Sequence, residues 1–234
     1  MRPKLVLRSV YFYVGLVISL LCQIPRFIGV QKKSAEEIHK VAHRWAAGNA
    51  RRSGSRFHVE GLENVPTDQA VLFVANHQSN FDIAVLLTYL PVPHGYVSKI
   101  EMTKVPVVHQ WMRHMRCIFI DRKSLRQTAG VILEGIKLLK AGHSLVLFPE
   151  GTRSKSESML DFKAGSFKLA TKVEVPIVPI SINGTFRILE ANGGRISPTD
   201  VYVNIHPAIP TKDLEDLQSL PDKVHKIIEE GLKN

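Results

Sequence analysis

Cysteine is scarce in this 234-residue chain: Cys22 and Cys117 are the only two, far apart and both in apolar surroundings. They exclude a disulfide framework and a cysteine-based metal site, and read as small buried hydrophobes in a reducing compartment. There is no G-x-S-x-G turn. The nearest stretch, Gly142-His143-Ser144-Leu145-Val146, lacks the second glycine and precedes a strand instead of following one, which argues against a serine hydrolase built on a nucleophile elbow. None of the ten histidines falls in an HExxH arrangement, and no metal site is expected. Repeats and low-complexity segments are missing as well. No uncharged stretch reaches the about 20 apolar residues of a membrane-spanning helix. Residues 9–25, between Arg8 and Arg26, number seventeen and are weakened by Gln23 and Pro25. No small-x-small cleavage site follows them, so secretion is not expected.

What is present suits one domain with a sizeable core: 44% hydrophobic and 22% charged residues. The charge is uneven. Residues 1–56 hold eleven lysines and arginines against Glu36 and Glu37, so nine of the ten net positive charges lie there. A nucleic acid could attract such a segment, but it would not need the apolar run; an anionic membrane surface explains both. Ser34 and Glu37 form a capping box that starts a second helix. Ile38, Val41, Ala42, Trp45 and Ala46 then follow a helical apolar stripe, flanked by His39, Lys40, His43 and Arg44. Packing on the domain is one fate for that stripe. Its place after the apolar run, with a tryptophan suited to the membrane interface, favours lipid. Residues 1–56 are therefore expected to be a membrane-associating helical pair, peripheral or monotopic on the cytoplasmic face of the cell membrane, and 57–234 the globular domain.

From Arg56 onward, strands and helices alternate. Strands are read at 57–61, 70–75, 96–98, 117–121, 145–148, 176–182 and 200–205, and helices at 79–89, 107–115, 124–140, 165–172 and 222–232. This is an α/β pattern with a mainly parallel central sheet flanked by helices. Three of the strands end in polar clusters. After AVLFVA (70–75) comes NHQSNFD, placing His77 and Asp82 where a strand gives way to a helix. An imidazole held by a carboxylate on one nitrogen offers the other as a general base. CIFIDR (117–122) ends in Asp121-Arg122. The strand in HSLVLFPEGTRS (143–154) is closed by Pro149, which cannot donate to a ladder, and Glu150, Gly151, Thr152, Arg153 and Ser154 follow. Glycine permits close backbone approach, and arginine can grip phosphate with two bonds. Polar groups that converge on the carboxyl ends of strands mark the usual place of an α/β active site.

These blocks, with VPIVPISI at 175–182, stand in the order of the 1-acyl-sn-glycerol-3-phosphate acyltransferase family, which the chain resembles over roughly residues 57–206. The family often has glycine before its FIDR-type block, where this chain has Arg116. The resemblance implies transfer of a fatty acyl group from a coenzyme A or acyl-carrier-protein thioester to the free hydroxyl of lysophosphatidic acid, without a cofactor and without nucleic acid. It makes His77 the base and Asp82 its orienting partner; because both stand at a strand-to-helix junction and neither is needed as core, alanine at either position is expected to leave the fold intact. It assigns Arg122, Arg153 and Lys99 to the acceptor phosphate. Glu150 would organise these cations and the backbone, Thr152 would bond phosphate or backbone, and the Gly151 N–H is one candidate for the oxyanion. Another lysophospholipid or glycerol 3-phosphate as acceptor, or a lipid-binding module without chemistry, are the competing readings.

Overall fold

The computed structural model describes residues 3–27, 29–121, 125–212, 214 and 216–233. Helix α1 (Pro3–Leu21) opens on a proline, tolerated in a first turn because that N–H has no helical partner. Helix α2 (Ala35–Ser53) starts at the expected capping box: the Glu37 N–H donates to Ser34 Oγ at 3.2 Å, and the Ser34 N–H donates to Glu37 Oε2 at 2.8 Å. It stops at Gly54 in the left-handed region, φ 74°.

There follow β1 (Arg56–Glu60), β2 (Leu72–Ala75), α3 (Phe81–Tyr89), β3 (His94–Lys99), α4 (Val108–His114), β4 (Ile118–Ile120) and α5 (Leu125–Lys140). Next come β5 (Ser144–Leu147), α6 (Lys168–Thr171), β6 (Ile177–Asn183), β7 (Asp200–Ile205) and α7 (Leu220–Gly231). The strands form one sheet in the order β1-β7-β6-β2-β5-β3-β4, parallel throughout except between β6 and β7. The expected helix at 165–172 is half realised: a tighter turn at Ala164–Phe167 precedes the short α6.

The central strands are buried on both faces, so they read as unbroken apolar runs. In β2, Phe73 and Ala75 join a core layer with Phe12 of α1, Ala42 and Ala46 of α2, and Phe81 and Val85 of α3. Leu72 and Val74 point the other way, to a layer built with α5, α6 and α7.

The stripe on α2 meets protein, not lipid. Ile38, Ala42, Ala46 and Ala50 are buried, α2 lies along α3, and the half-buried Trp45 donates its indole N–H to Ser19 Oγ at 3.1 Å. Amphipathicity showed that this face would leave water; the neighbouring α3 is what covers it. Among the described residues α1 carries a run of outward apolar surface, with Leu7, Val10, Val14, Val17, Ile18 and Leu21 each more than half exposed. The opposite side of α1 is fastened down by Phe12, whose ring packs tilted against Phe81 with centroids 5.5 Å apart, by Ser9 Oγ accepting from the Ile196 N–H, and by the Tyr13 hydroxyl donating to the Gly194 carbonyl.

Arg116 has φ 58°, a left-handed conformation natural to glycine. That is the physical reason a glycine suits the position. Its carbonyl runs so close to Gly95 of β3 that a Cβ there would lie 2.6 Å from it.

Candidate active site

Strands β2 and β5 are parallel neighbours, with Val74 beside Leu147, so NHQSNFD and PEGTRS leave the sheet side by side at its carboxyl edge. Strand β6, parallel to β2 on its other flank, ends at the same edge in Asn183, Gly184 and Thr185. Asn76 extends the β2–β6 pairing with its side chain: Nδ2 donates to the Ile182 carbonyl at 2.9 Å and Oδ1 accepts the Ile182 N–H at 2.8 Å.

His77 Nδ1 lies 2.7 Å from Asp82 Oδ2. Asp82 is wholly buried, and the same oxygen accepts the backbone N–H groups of Gln78 at 2.8 Å and Ser79 at 2.9 Å. Its Oδ1 accepts the Thr185 hydroxyl at 2.5 Å. A carboxylate that satisfies four donors has the acceptor role throughout, so the hydrogen of the His77–Asp82 bond sits on Nδ1 and Nε2 is the ring nitrogen left outside that bond. The imidazole is further fixed by stacking on Phe148, with ring centroids 4.0 Å apart and 18° between planes. The dyad thus needs both the strand-to-helix junction and a residue from the far end of β6. It also corrects one expectation: Asp82 is a hub of the fold, and alanine there would orphan two buried N–H groups.

Glu150 is 4% exposed, and its carboxylate accepts two backbone N–H groups, from His77 at 2.7 Å and Leu160 at 3.0 Å. Burial pushes its pKa up to about 7, against the two backbone bonds that pull it down. The His77 carbonyl in turn accepts the Ser154 N–H at 2.8 Å, so the two motifs are stitched together through backbone on both sides of His77. Glu150 therefore organises backbone, as expected, while the arginine of its own motif goes elsewhere. Arg153 Nη1 pairs with Glu190 Oε1 at 2.9 Å. Glu190, Thr185 and Phe148 are site residues that the motifs did not single out as such.

The Gly151 N–H does not serve an oxyanion here; it donates to the Phe148 carbonyl at 3.0 Å and closes a turn, with Gly151 at φ 75°. Thr152 is exposed beside it. Lys99 ends β3 and is also exposed. Arg122 lies outside the described residues. His77, Lys99, Gly151, Thr152 and Arg153 all line one cavity of about 340 Å³. The rest of that lining is mainly apolar and comes from four directions, including Leu20 near the end of α1, Trp45 of α2, Leu87 of α3 and Trp111 of α4. Cys117 lines it too, but burial pushes its thiol up to about 12, so it presents no thiolate nucleophile.

A His–Asp pair at the carboxyl edge of an α/β sheet, beside an apolar cavity with cations in its lining, has the geometry of a general base next to a pocket for an apolar ligand. The comparisons agree. The Acyltransferase family model matches residues 56–183, and the chain belongs to that family. It is 37% identical over 153 residues to the chloroplastic 1-acyl-sn-glycerol-3-phosphate acyltransferase BAT2 of Brassica napus, covering 64% of this chain and 44% of that one. To the 1-acyl-sn-glycerol-3-phosphate acyltransferase of Borreliella burgdorferi it is 30% identical over 166 residues, 71% of this chain and 66% of the other. A probable enzyme of the same name from Mycoplasma pneumoniae shares 33% over 184 residues, 76% of this chain and 69% of that one. The chain thus spans from under half to about two thirds of the length of these relatives. The crystal structure of the 1-acyl-sn-glycerophosphate (LPA) acyltransferase PlsC from Thermotoga maritima superposes with a TM-score of 0.87 at 27% identity, over 99% of this chain and 96% of that one.

Proposed function

We propose that this chain moves a fatty acyl group from a thioester to the sn-2 hydroxyl of 1-acyl-sn-glycerol 3-phosphate, giving phosphatidic acid. The observation that carries this reading is the 2.7 Å His77–Asp82 pair on the wall of an apolar cavity that Arg153 also lines. The acceptor hydroxyl gives its proton to His77 Nε2 as its oxygen attacks the thioester carbonyl. Asp82 stabilises the imidazolium that forms. Collapse of the tetrahedral intermediate breaks the carbon–sulfur bond, and the departing thiolate takes the proton back. A thioester is already activated, so no enzyme-bound acyl group is needed; base assistance is worth about 10²–10⁴-fold, and positioning supplies more.

Arg153 grips the acceptor phosphate, assisted by Lys99, by Arg122 and by the Thr152 hydroxyl. The cavity takes an acyl chain. The donor is a coenzyme A or acyl-carrier-protein thioester arriving from the aqueous side. The apolar face of α1 seats the protein in one leaflet of the cytoplasmic membrane surface, with basic side chains of residues 1–56 adding roughly 1 kcal/mol each near anionic lipid. Residues 3–27 are long and apolar enough to cross a bilayer, but crossing would strip away the contacts of Ser9, Phe12 and Tyr13 with the domain. The test is an acyl-transfer assay of the purified chain against lysophosphatidic acid, other lysophospholipids and glycerol 3-phosphate, with each donor and with products identified by mass. Phosphatidic acid as the main product is expected; transfer to another acceptor in preference, or to none, overturns the assignment.

A further inference from the structure

We propose that Glu190 is a positioning residue that aims Arg153 at the acceptor phosphate and ties that aim to the loop carrying the dyad. The proposal rests on the acyl-transfer reading above. Glu190 lies on the connection between β6 and β7, remote in sequence from both motifs. Its Oε1 accepts from Arg153 Nη1 at 2.9 Å and from the Asn80 N–H at 3.1 Å, and its Oε2 accepts the Ser79 hydroxyl at 2.6 Å. The carboxylate side chain is only 7% exposed, whereas Arg153 is 32% exposed and lines the cavity. One end of this ion pair is therefore fixed by two further donors, and the other faces the place where a phosphate would sit.

A guanidinium is a rigid planar fork of five N–H donors, so holding one nitrogen sets the direction of the rest. Without Glu190, Arg153 would stand on a turn entered through Gly151 and sample several rotamers, each to be frozen out when phosphate binds. Ser79 and Asn80 are two of the four residues between His77 and Asp82. Through them the same carboxylate sets where the loop stands, so the distance between the phosphate grip and the base is held by one group. Thr185, on the same connection, bonds Asp82 and sets the angle of the dyad itself.

The link is read by a double-mutant cycle on the full chain: wild type, Glu190→Gln, Arg153→Ala and the pair. Each is assayed with lysophosphatidic acid and with 1-monoacylglycerol, which lacks the phosphate. Glutamine keeps the shape and an oxygen for the Asn80 N–H, and the Ser79 hydroxyl can turn to accept from the new amide, but the ionic hold on Arg153 is lost. Glu190→Gln is expected to raise KM for lysophosphatidic acid about tenfold with kcat lowered by up to about threefold through the loop, to lower kcat/KM for monoacylglycerol by no more than about that threefold, and to add no more than about threefold once Arg153 is alanine. Multiplying effects in the pair, or an equal loss on both acceptors, overturns the proposal in favour of a merely structural role. Arg153→Lys, at a partly exposed position, reads the same link if Glu190→Gln does not fold: it keeps the charge but not the fork, and an unchanged acceptor KM would overturn the proposal. Wild-type chain that acylates neither acceptor overturns the functional reading and this one together; wild-type activity with an unaltered Glu190→Gln overturns this one alone.

Discussion

Substituting Asp82 in two ways separates chemistry from folding. Asparagine keeps the volume of the side chain and an oxygen for the Gln78 and Ser79 N–H groups, and the Thr185 hydroxyl can turn to accept from the new amide. What it removes is the negative charge facing His77 at 2.7 Å. The imidazolium formed during proton transfer then has no counter-charge, and kcat should fall by about 10²–10⁴, the full worth of general-base assistance, with melting temperature little changed. Alanine removes the acceptor as well. The two backbone N–H groups belong to residues 1% and 0% exposed, and each lost partner costs about 1–3 kcal/mol. Adding the Thr185 hydroxyl gives a loss of about 3–9 kcal/mol, a large part of the 5–15 kcal/mol that keeps an ordinary domain folded. Urea unfolding of wild type, Asp82→Asn and Asp82→Ala, beside acyl transfer measured by mass, distinguishes the two. An Asp82→Asn enzyme that keeps more than about a tenth of wild-type kcat would refute the counter-charge role; an Asp82→Ala chain as stable as wild type would refute the accounting of its bonds.

Glu150, with a pKa of about 7 when folded against an ordinary 4.5, holds its proton more tightly in the native state. Its contribution to stability is fully present below about pH 4.5 and is lost as pH rises through about 7, so Glu150→Gln should gain on wild type by up to about 1.4 kcal/mol per pH unit in that window; denaturation curves at pH 5 to 8 that stay parallel would disprove it. Arg116→Gly relieves the left-handed backbone at φ 58° and should add up to about 1 kcal/mol, or about 2–4 °C in Tm; a lower melting point counts against the strain argument. Serine at Val10, Val14 and Val17, which are 54%, 53% and 55% exposed, should leave Tm unchanged and weaken sedimentation with anionic liposomes. Undiminished sedimentation would place the anchor on another surface.

The dyad and the sheet were legible because a strand buried on both faces writes itself as a continuous apolar run, and the chemistry follows directly at its carboxyl end. Leu72 to Asp82 and Ser144 to Arg153 each carry strand, turn and candidate site residues in sequence. Thr185 and Glu190 reach the same site from 103 and 111 residues away, and no local pattern encodes such a return. Adjacency in PEGTRS suggested that Glu150 and Arg153 would serve each other; a turn at Gly151 instead sends the acid toward His77 and the arginine toward the β6–β7 connection. On α2 the stripe said that one face would be covered, not by what. Periodicity measures contrast between faces and carries no record of the neighbour.

Because Leu20, Gln23, Val41, Ala42 and Trp45 belong to the cavity wall, the N-terminal helices are not a detachable module. Grafting the segment onto another domain would export one side of a pocket, and grafting a foreign helical pair here would redraw the pocket's bore. Substitutions on the inner face of these helices therefore act on packing and on the shape of the pocket together.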